Sequence, residues 1–219
     1  MPIAVSVELE GIRLGTLEVE RVKVAPASGA LSDELLRCCE LIHRTMTADQ
    51  VSEREPIRAV RAMFRAWGVD PARYRPASEA LLRRIAQGKG LYRVSNIVDA
   101  GNLGSVETGW PYGVYDRARI SPPVVFRAGH PGEQYEGIGR QTWHLAGRPV
   151  LADKSGAFGS PISDSTRTMI TESASDLLAV IYAPVGAQHE AIVSALQTLG
   201  RRITLDGGTV TEILVTSPR

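Results

Sequence analysis

Lysine is nearly missing from this chain: of its 25 basic residues only Lys23, Lys89 and Lys154 are lysine, which leaves 22 arginines. Cysteine is scarcer, with Cys38 and Cys39 adjacent and alone. Two neighbouring thiols can neither frame a disulfide network nor supply the spaced ligands of a zinc site, so helix packing is their expected use. No uncharged apolar run approaches the roughly 18 residues of a membrane span. The longest candidate, Leu177 to His189, is interrupted by Pro184, Gly186 and Gln188. The first residues include Glu8 and Glu10 and lack the basic-then-apolar order of a secretory signal, so a cytoplasmic protein with no membrane partner is expected. His43, His130, His144 and His189 stand at no metal-ligand spacing, and neither a metal nor a cofactor is expected. Gly88-Lys89-Gly90 and Gly207-Gly208 lack the spacing of phosphate loops and read as turns.

What is present is the composition of a globular protein, 43% hydrophobic and 22% charged with a net charge of +1. Disordered, collagen-like and polyacidic classes are excluded. The 219 residues show no internal repeat and no dividing linker, so one mixed α/β (α+β) domain over 1–219 is expected. Charge is uneven along it. Between Arg54 and Arg93 ten basic residues face only Glu55, Asp70 and Glu79. Arg54, Arg58, Arg61 and Arg65 fall together at helical spacing, either as a solvated face or as a stripe for RNA phosphates.

Periodicity supplies the elements. Ile3, Val5, Val7 and Leu9 alternate as in a strand, and Leu17–Val24 forms a second extended run. A helix follows with Ser32 as N-cap, Leu31 and Leu36 as a hydrophobic staple, and Leu35, Cys39, Ile42 and Met46 as its buried stripe. Further helices are predicted from Pro56 to Trp67 with Gly68 as the stop, from Ala77 to Gln87, and from Asn96 (taken as N-cap) to Thr108 with Gly109 as the stop. Strands are predicted at Tyr112–Tyr115, Val124–Arg127, Pro149–Ala152 and Leu177–Tyr182, with Asp153–Thr166 as loop. A last helix spans Ala187–Leu199, stopped by Gly200. Arg202–Leu205 and Val210–Val215 then form a hairpin about Asp206-Gly207-Gly208.

Three blocks carry chemistry-bearing residues in a recognisable order: RYRPASEALLRRIAQGKGLYRVSNIVDAGNL (Arg73–Leu103), GWPYGVYD (Gly109–Asp116) and FRAGHPGEQY (Phe126–Tyr135), continued by PVLADKSGAFGSPISDSTRTMIT (Pro149–Thr171). Their order and separations over residues 74–182 resemble the B3/B4 editing domain of the phenylalanyl-tRNA synthetase beta subunit in free-standing form. The resemblance implies a three-layer β/β/α sandwich, with residues 1–73 and 183–219 packed on the core. It also implies a chamber that hydrolyses mischarged tRNA using a Thr-Asn pair, a His and a Glu. Of these Asn102 is kept, the Thr is Gly101, the His is Gly113, and the Glu position falls near Val180. The family's own hydrolytic route is therefore not expected here.

Read from chemistry upward, Gly159–Thr168 gathers Ser160, Ser163, Asp164, Ser165, Arg167 and Thr168. A carboxylate there suits an ammonium, a guanidinium suits a carboxylate or phosphate, and hydroxyls can place a water. The same residues also suit the capping of a turn. Asn102 with Gly101 should face this loop across a polar pocket. Tyr112 and Tyr115 alternate to opposite faces, so one lines a pocket and the other is core. Three readings stay open: binding of RNA, tRNA or an aminoacyl end; a deacylase-like hydrolase acting on mischarged aminoacyl-tRNA; or an amino-acid or small-molecule binder. A complete tRNA ligase is not among them.

Overall fold

The computed structural model describes residues 2–27 and 29–218. One sheet is ordered β1 (Val5–Val7), β4 (Val124–Ala128), β7 (Pro149–Asp153), β8 (Gly156–Gly159), with β1 parallel to β4 and the rest antiparallel. The second is fully antiparallel: β10 (Thr209–Thr216), β2 (Ile12–Glu20), β9 (Leu177–Pro184), β3 (Tyr112–Asp116). A small ribbon of β5 (Gln134–Glu136) and β6 (Thr142–His144) stands beside the first sheet.

β9 explains the layering. Every residue of LLAVIYAP is buried, the continuous apolar pattern of a strand covered on both faces. Leu177, Ala179, Ile181 and Ala183 pack toward α1 (Gly29–Thr45), α3 (Ala77–Ala86), α4 (Asn96–Thr108) and α5 (His189–Ile203). Leu178, Val180 and Tyr182 face the first sheet, where Val7, Phe126, Leu151 and Phe158 meet them. Alternation in one strand thus feeds two cores, and the result is a β/β/α sandwich. α2 (Glu55–Ala66) adds Val60, Met63 and Phe64 to the core between the sheets. Among the described residues no helix is long and apolar enough to cross a membrane; the Leu177–His189 run is a central strand and the turn after it.

Several expectations are corrected. Ser32 lies inside α1, where its Oγ accepts a bond from Arg93 Nη2 at 3.1 Å, and Leu36 is exposed and staples nothing. The α4 N-cap is Ser95, whose side chain accepts from Val98 N–H; Asn96 instead bonds the backbone at Lys23 and Ala25. β8 lies in what reads as loop, since a four-residue strand with glycine at both ends carries little periodic signal. No hairpin forms about Asp206-Gly207-Gly208. α5 runs through Gly200 to Ile203, and β10 pairs with β2. A Cβ at position 200 would sit 2.9 Å from Val210 Cγ2, so this glycine permits helix-on-strand contact and stops nothing.

The arginine stripe divides. Glu79 is fully buried and collects Arg61 Nη1 at 2.8 Å, Arg83 Nε at 2.9 Å and Arg75 Nε at 3.7 Å. Arg61 therefore belongs to an internal ion cluster, whereas Arg58 and Arg65 are exposed and Arg54 is half-buried. Arg61→Ala is expected to lower stability by about 1–2 kcal/mol, because Arg83 still faces the buried carboxylate. Arg58→Ala and Arg65→Ala should stay within about 0.5 kcal/mol. Urea unfolding of the three variants checks this ordering.

Candidate functional site

A cavity of about 360 Å³ opens between α4, β3 and the segment after β8. That is near the lower end of small-ligand sites, about 300–1,000 Å³. Its helical wall is Val98, Gly101 and Asn102; Val94 precedes the helix, Tyr112 and Val114 come from β3, and Ile138, Asp164, Met169 and Ile170 close it. α4 lies close on β3 because it lacks side chains at the contact. A Cβ on Gly101 would meet Val114 Cγ2 at 2.9 Å, and one on Gly104 would meet Tyr112 Cε2 at 2.7 Å. The walls are mainly aliphatic, so the expected polar pocket is an apolar one holding a few polar groups.

Asp164 is the charged group in that lining. Ser160 builds the turn that carries it: Ser160 Oγ donates to the Ser163 carbonyl at 2.7 Å and accepts from Ser163 N–H at 3.0 Å. Ser160 N–H and the Tyr115 hydroxyl both donate to Asp164 Oδ1, at 3.2 and 2.8 Å. A hydroxyl has one proton, so Tyr115 Oη in turn accepts from Tyr182 Oη, 2.9 Å away. Oδ2 takes no hydrogen bond from the described residues, and no cation among them pairs with the carboxylate. Burial pushes the Asp164 carboxyl up to about 7, against the opposing pull of the Tyr115 and Ser160 bonds. Asn102 is half-buried, and its carboxamide has no partner among the described residues.

The other candidate residues lie elsewhere. Arg167 is held by Asp153, at 3.0 and 3.1 Å, and by the carbonyls of Arg119 and Gly156. It does not line the cavity. Ser165 accepts from Arg167 N–H and starts a short 3-10 turn. Thr168 is fully buried with its hydroxyl unpaired. Gly113 opposes Val180 in the β3–β9 register, and both positions face the core between the sheets. A Cβ at Gly113 would lie 2.0 Å from Tyr115 Oη, so the Tyr115 phenol fills the place of any side chain there.

Tyr112 lines the cavity and Tyr115 is core, as alternation predicts, yet the core tyrosine supports the carboxylate. The Thr108 hydroxyl lies near Tyr112 Oη without hydrogen-bond geometry, so this phenol is buried and unpaired. The role of Tyr115 and Tyr182 could be found in the sequence only through their shared sheet face. The cysteines are inert by comparison: burial pushes the Cys38 thiol up to about 11.

Comparison with known proteins agrees with this architecture. The sequence matches the family model for the B3/4 domain over residues 59–198. A stretch of 103 residues is 28% identical to the phenylalanine–tRNA ligase beta subunit of Neisseria gonorrhoeae (strain ATCC 700825 / FA 1090). The same subunit of Neisseria meningitidis serogroup A / serotype 4A is equally similar, at 28% over 103 residues. The match covers 42% of this chain and only 13% of the length of those subunits. In three dimensions 99% of the chain superposes on 55% of an N-terminal fragment of the phenylalanyl-tRNA synthetase beta-subunit from Pyrococcus horikoshii, with a TM-score of 0.50 and 16% identity. At that identity the likeness concerns the fold.

Proposed function

The chain belongs to the B3/4 domain family, and from that premise we propose that its cavity binds an amino acid or the aminoacyl end of an RNA. The observation that carries this reading is Asp164, a half-buried carboxylate lining an apolar cavity, with one oxygen free of hydrogen bonds and no cation beside it among the described residues. A charge drawn largely out of water is normally paired. An α-ammonium supplies the missing cation, the aliphatic walls take an apolar side chain, and Asn102 can donate to a carboxylate or ester carbonyl. The relatives are subunits of ligases for phenylalanine and tRNA, which makes phenylalanine and its esters the first ligands to test.

Titration calorimetry of the full chain with phenylalanine, tyrosine, leucine and their methyl esters tests this reading. Binding is expected for at least one of them, with at least tenfold loss on N-acetylation of the ligand and in Asp164→Asn. Affinity should fall about tenfold per pH unit below 7, because a proton then competes with the ammonium for Asp164. Equal binding of the N-acetyl compounds would defeat the assignment of Asp164.

Hydrolysis of an aminoacyl ester is the second reading. It is favoured by one observation, that Asp164 lines the cavity with an oxygen free to take a proton from water, and burial pushes its carboxyl up to about 7, which suits a general base. Turnover of mischarged tRNA that disappears in Asp164→Asn would raise it to first place. Turnover by the family's His and Glu is not expected, because Gly113 and Val180 supply neither group.

A further inference from the structure

We propose that the groove along α3, next to the cavity mouth, is a binding track for single-stranded RNA. This rests on the preceding reading for what the cavity holds, but not for the groove itself. Five side chains define it: Arg75, Arg83, Arg84, Lys89 and Tyr92 line a surface depression of about 330 Å³. Its charge is poorly compensated. Arg75 and Arg83 share the one buried carboxylate of Glu79 with Arg61. Arg84 and Lys89 have no carboxylate partner among the described residues, and Arg84 Nε is sealed without a hydrogen bond. Such cations are suited to phosphodiester oxygens, which bring charge without requiring a fixed side-chain partner.

The aromatic component distinguishes a nucleic acid from a free anion. Tyr92 is 56% exposed, and the Arg84 guanidinium stacks 3.8 Å from its ring centroid. An exposed ring with a guanidinium on it, beside unpaired cations, combines the base-stacking platform and backbone-tracking charge of single-strand binders. Position matters as well. Tyr92 lines the groove and Val94, 62% exposed, lines the cavity, so two residues connect the sites over at most about 7 Å of chain. Val94 N–H and Arg93 Nε both bond Asp99, at 2.9 and 3.1 Å, which fixes the connecting segment against α4. A strand lying on Arg84 and Tyr92 therefore ends at the rim of the Asp164 cavity. The exposed cations on α2, Arg58 and Arg65, line a separate depression.

Fluorescence anisotropy with a fluorescein-labelled 12-nucleotide oligouridylate tests the assignment on the full chain. Arg84→Gln/Lys89→Gln should weaken binding at least tenfold and lower the log–log salt slope by about 1.4, the share of two single-strand phosphates. Tyr92→Leu should weaken it at least fivefold with the salt slope unchanged. Arg58→Gln/Arg65→Gln should bind as the parent does. Asp164→Asn should also leave oligouridylate binding unchanged, so loss of amino-acid binding and loss of RNA binding separate the two proposals. The track is overturned if the oligonucleotide does not bind. It is overturned equally if the loss follows Arg58 and Arg65, or if polyglutamate competes as well as RNA at equal charge. Circular dichroism confirms that each variant is folded, and Tyr92→Leu tests the groove without removing charge.

Discussion

Gly159→Ala is expected to destabilise the protein by about 3–5 kcal/mol, and Gly113→Ala by as much or more. Both glycines press on one phenol. Tyr115 is fully buried, packs edge-on against Phe158 at 5.0 Å, and bonds Asp164 and Tyr182 through its hydroxyl. A methyl group at position 159 would stand 2.3 Å from Tyr115 Oη, and one at position 113 would stand 2.0 Å from it. The ring cannot yield without breaking both of its hydrogen bonds, so overpacking and the loss of bonds to Asp164 and Tyr182 add together. Neither glycine has a positive φ, so the cost is steric and not conformational. Gly139 provides the control, because a Cβ there meets nothing within 4 Å and its φ is unexceptional. Gly139→Ala should change stability by less than about 0.5 kcal/mol. For a chain of this length the expected loss at Gly159 is a fall in Tm of roughly 6–20 °C, read by calorimetry. Gly113→His, which restores the residue implied by the family resemblance, should be worse than alanine. An unchanged Tm in Gly159→Ala would mean that Tyr115 is not fixed where its two bonds place it.

The same tyrosine marks where sequence reading reaches its limit. α4 is legible in its span and in its stop at Gly109, which lies in the left-handed region, but not in its cap, because Ser95 and Asn96 are both polar and only the fold turns Asn96 to the backbone at Lys23 and Ala25. β9 is legible because eight buried residues leave an unbroken apolar run. β5 and β6, of three residues each, are too short for period-two alternation to show. Asp206-Gly207-Gly208 looks like a hairpin turn, but helical packing of Leu199 and Ile203 carries α5 past Gly200, so β10 finds its partner in β2. In the site, Asn102 and Asp164 can be named from residue type, and the fold brings both to one cavity. The hydroxyl-rich loop around them misleads. Most of its polar groups serve the loop itself, Arg167 through Asp153 and Ser160 through the turn at Ser163. Which polar group is left unpaired is a property of the assembled fold, and no local pattern encodes it.

Asp164→Asn is expected to make the protein more stable at pH 8 and at least tenfold weaker toward ammonium-bearing ligands. In the fold, burial raises the carboxyl from an ordinary 3.8 to about 7, so the native state favours the protonated form. That preference contributes stability fully below about pH 4. The contribution is lost as pH rises toward 7, and above 7 the native state carries a half-buried carboxylate with no cationic partner among the described residues. An amide avoids this charge, keeps an oxygen to accept from Tyr115 and Ser160, and has nearly the same volume. The gain at pH 8 is on the order of a few kcal/mol, since each tenfold change in proton affinity corresponds to about 1.4 kcal/mol. Near pH 4 parent and variant should melt together. Ammonium-bearing ligands should narrow the gap at pH 8 by stabilising only the parent, because they supply the missing countercharge. Melting curves at pH 4, 6 and 8, with and without phenylalanine methyl ester, contain the whole test. A variant less stable than the parent at pH 8 would mean that Asp164 is already satisfied within the fold, and the cavity would then lose its reason to hold an ammonium.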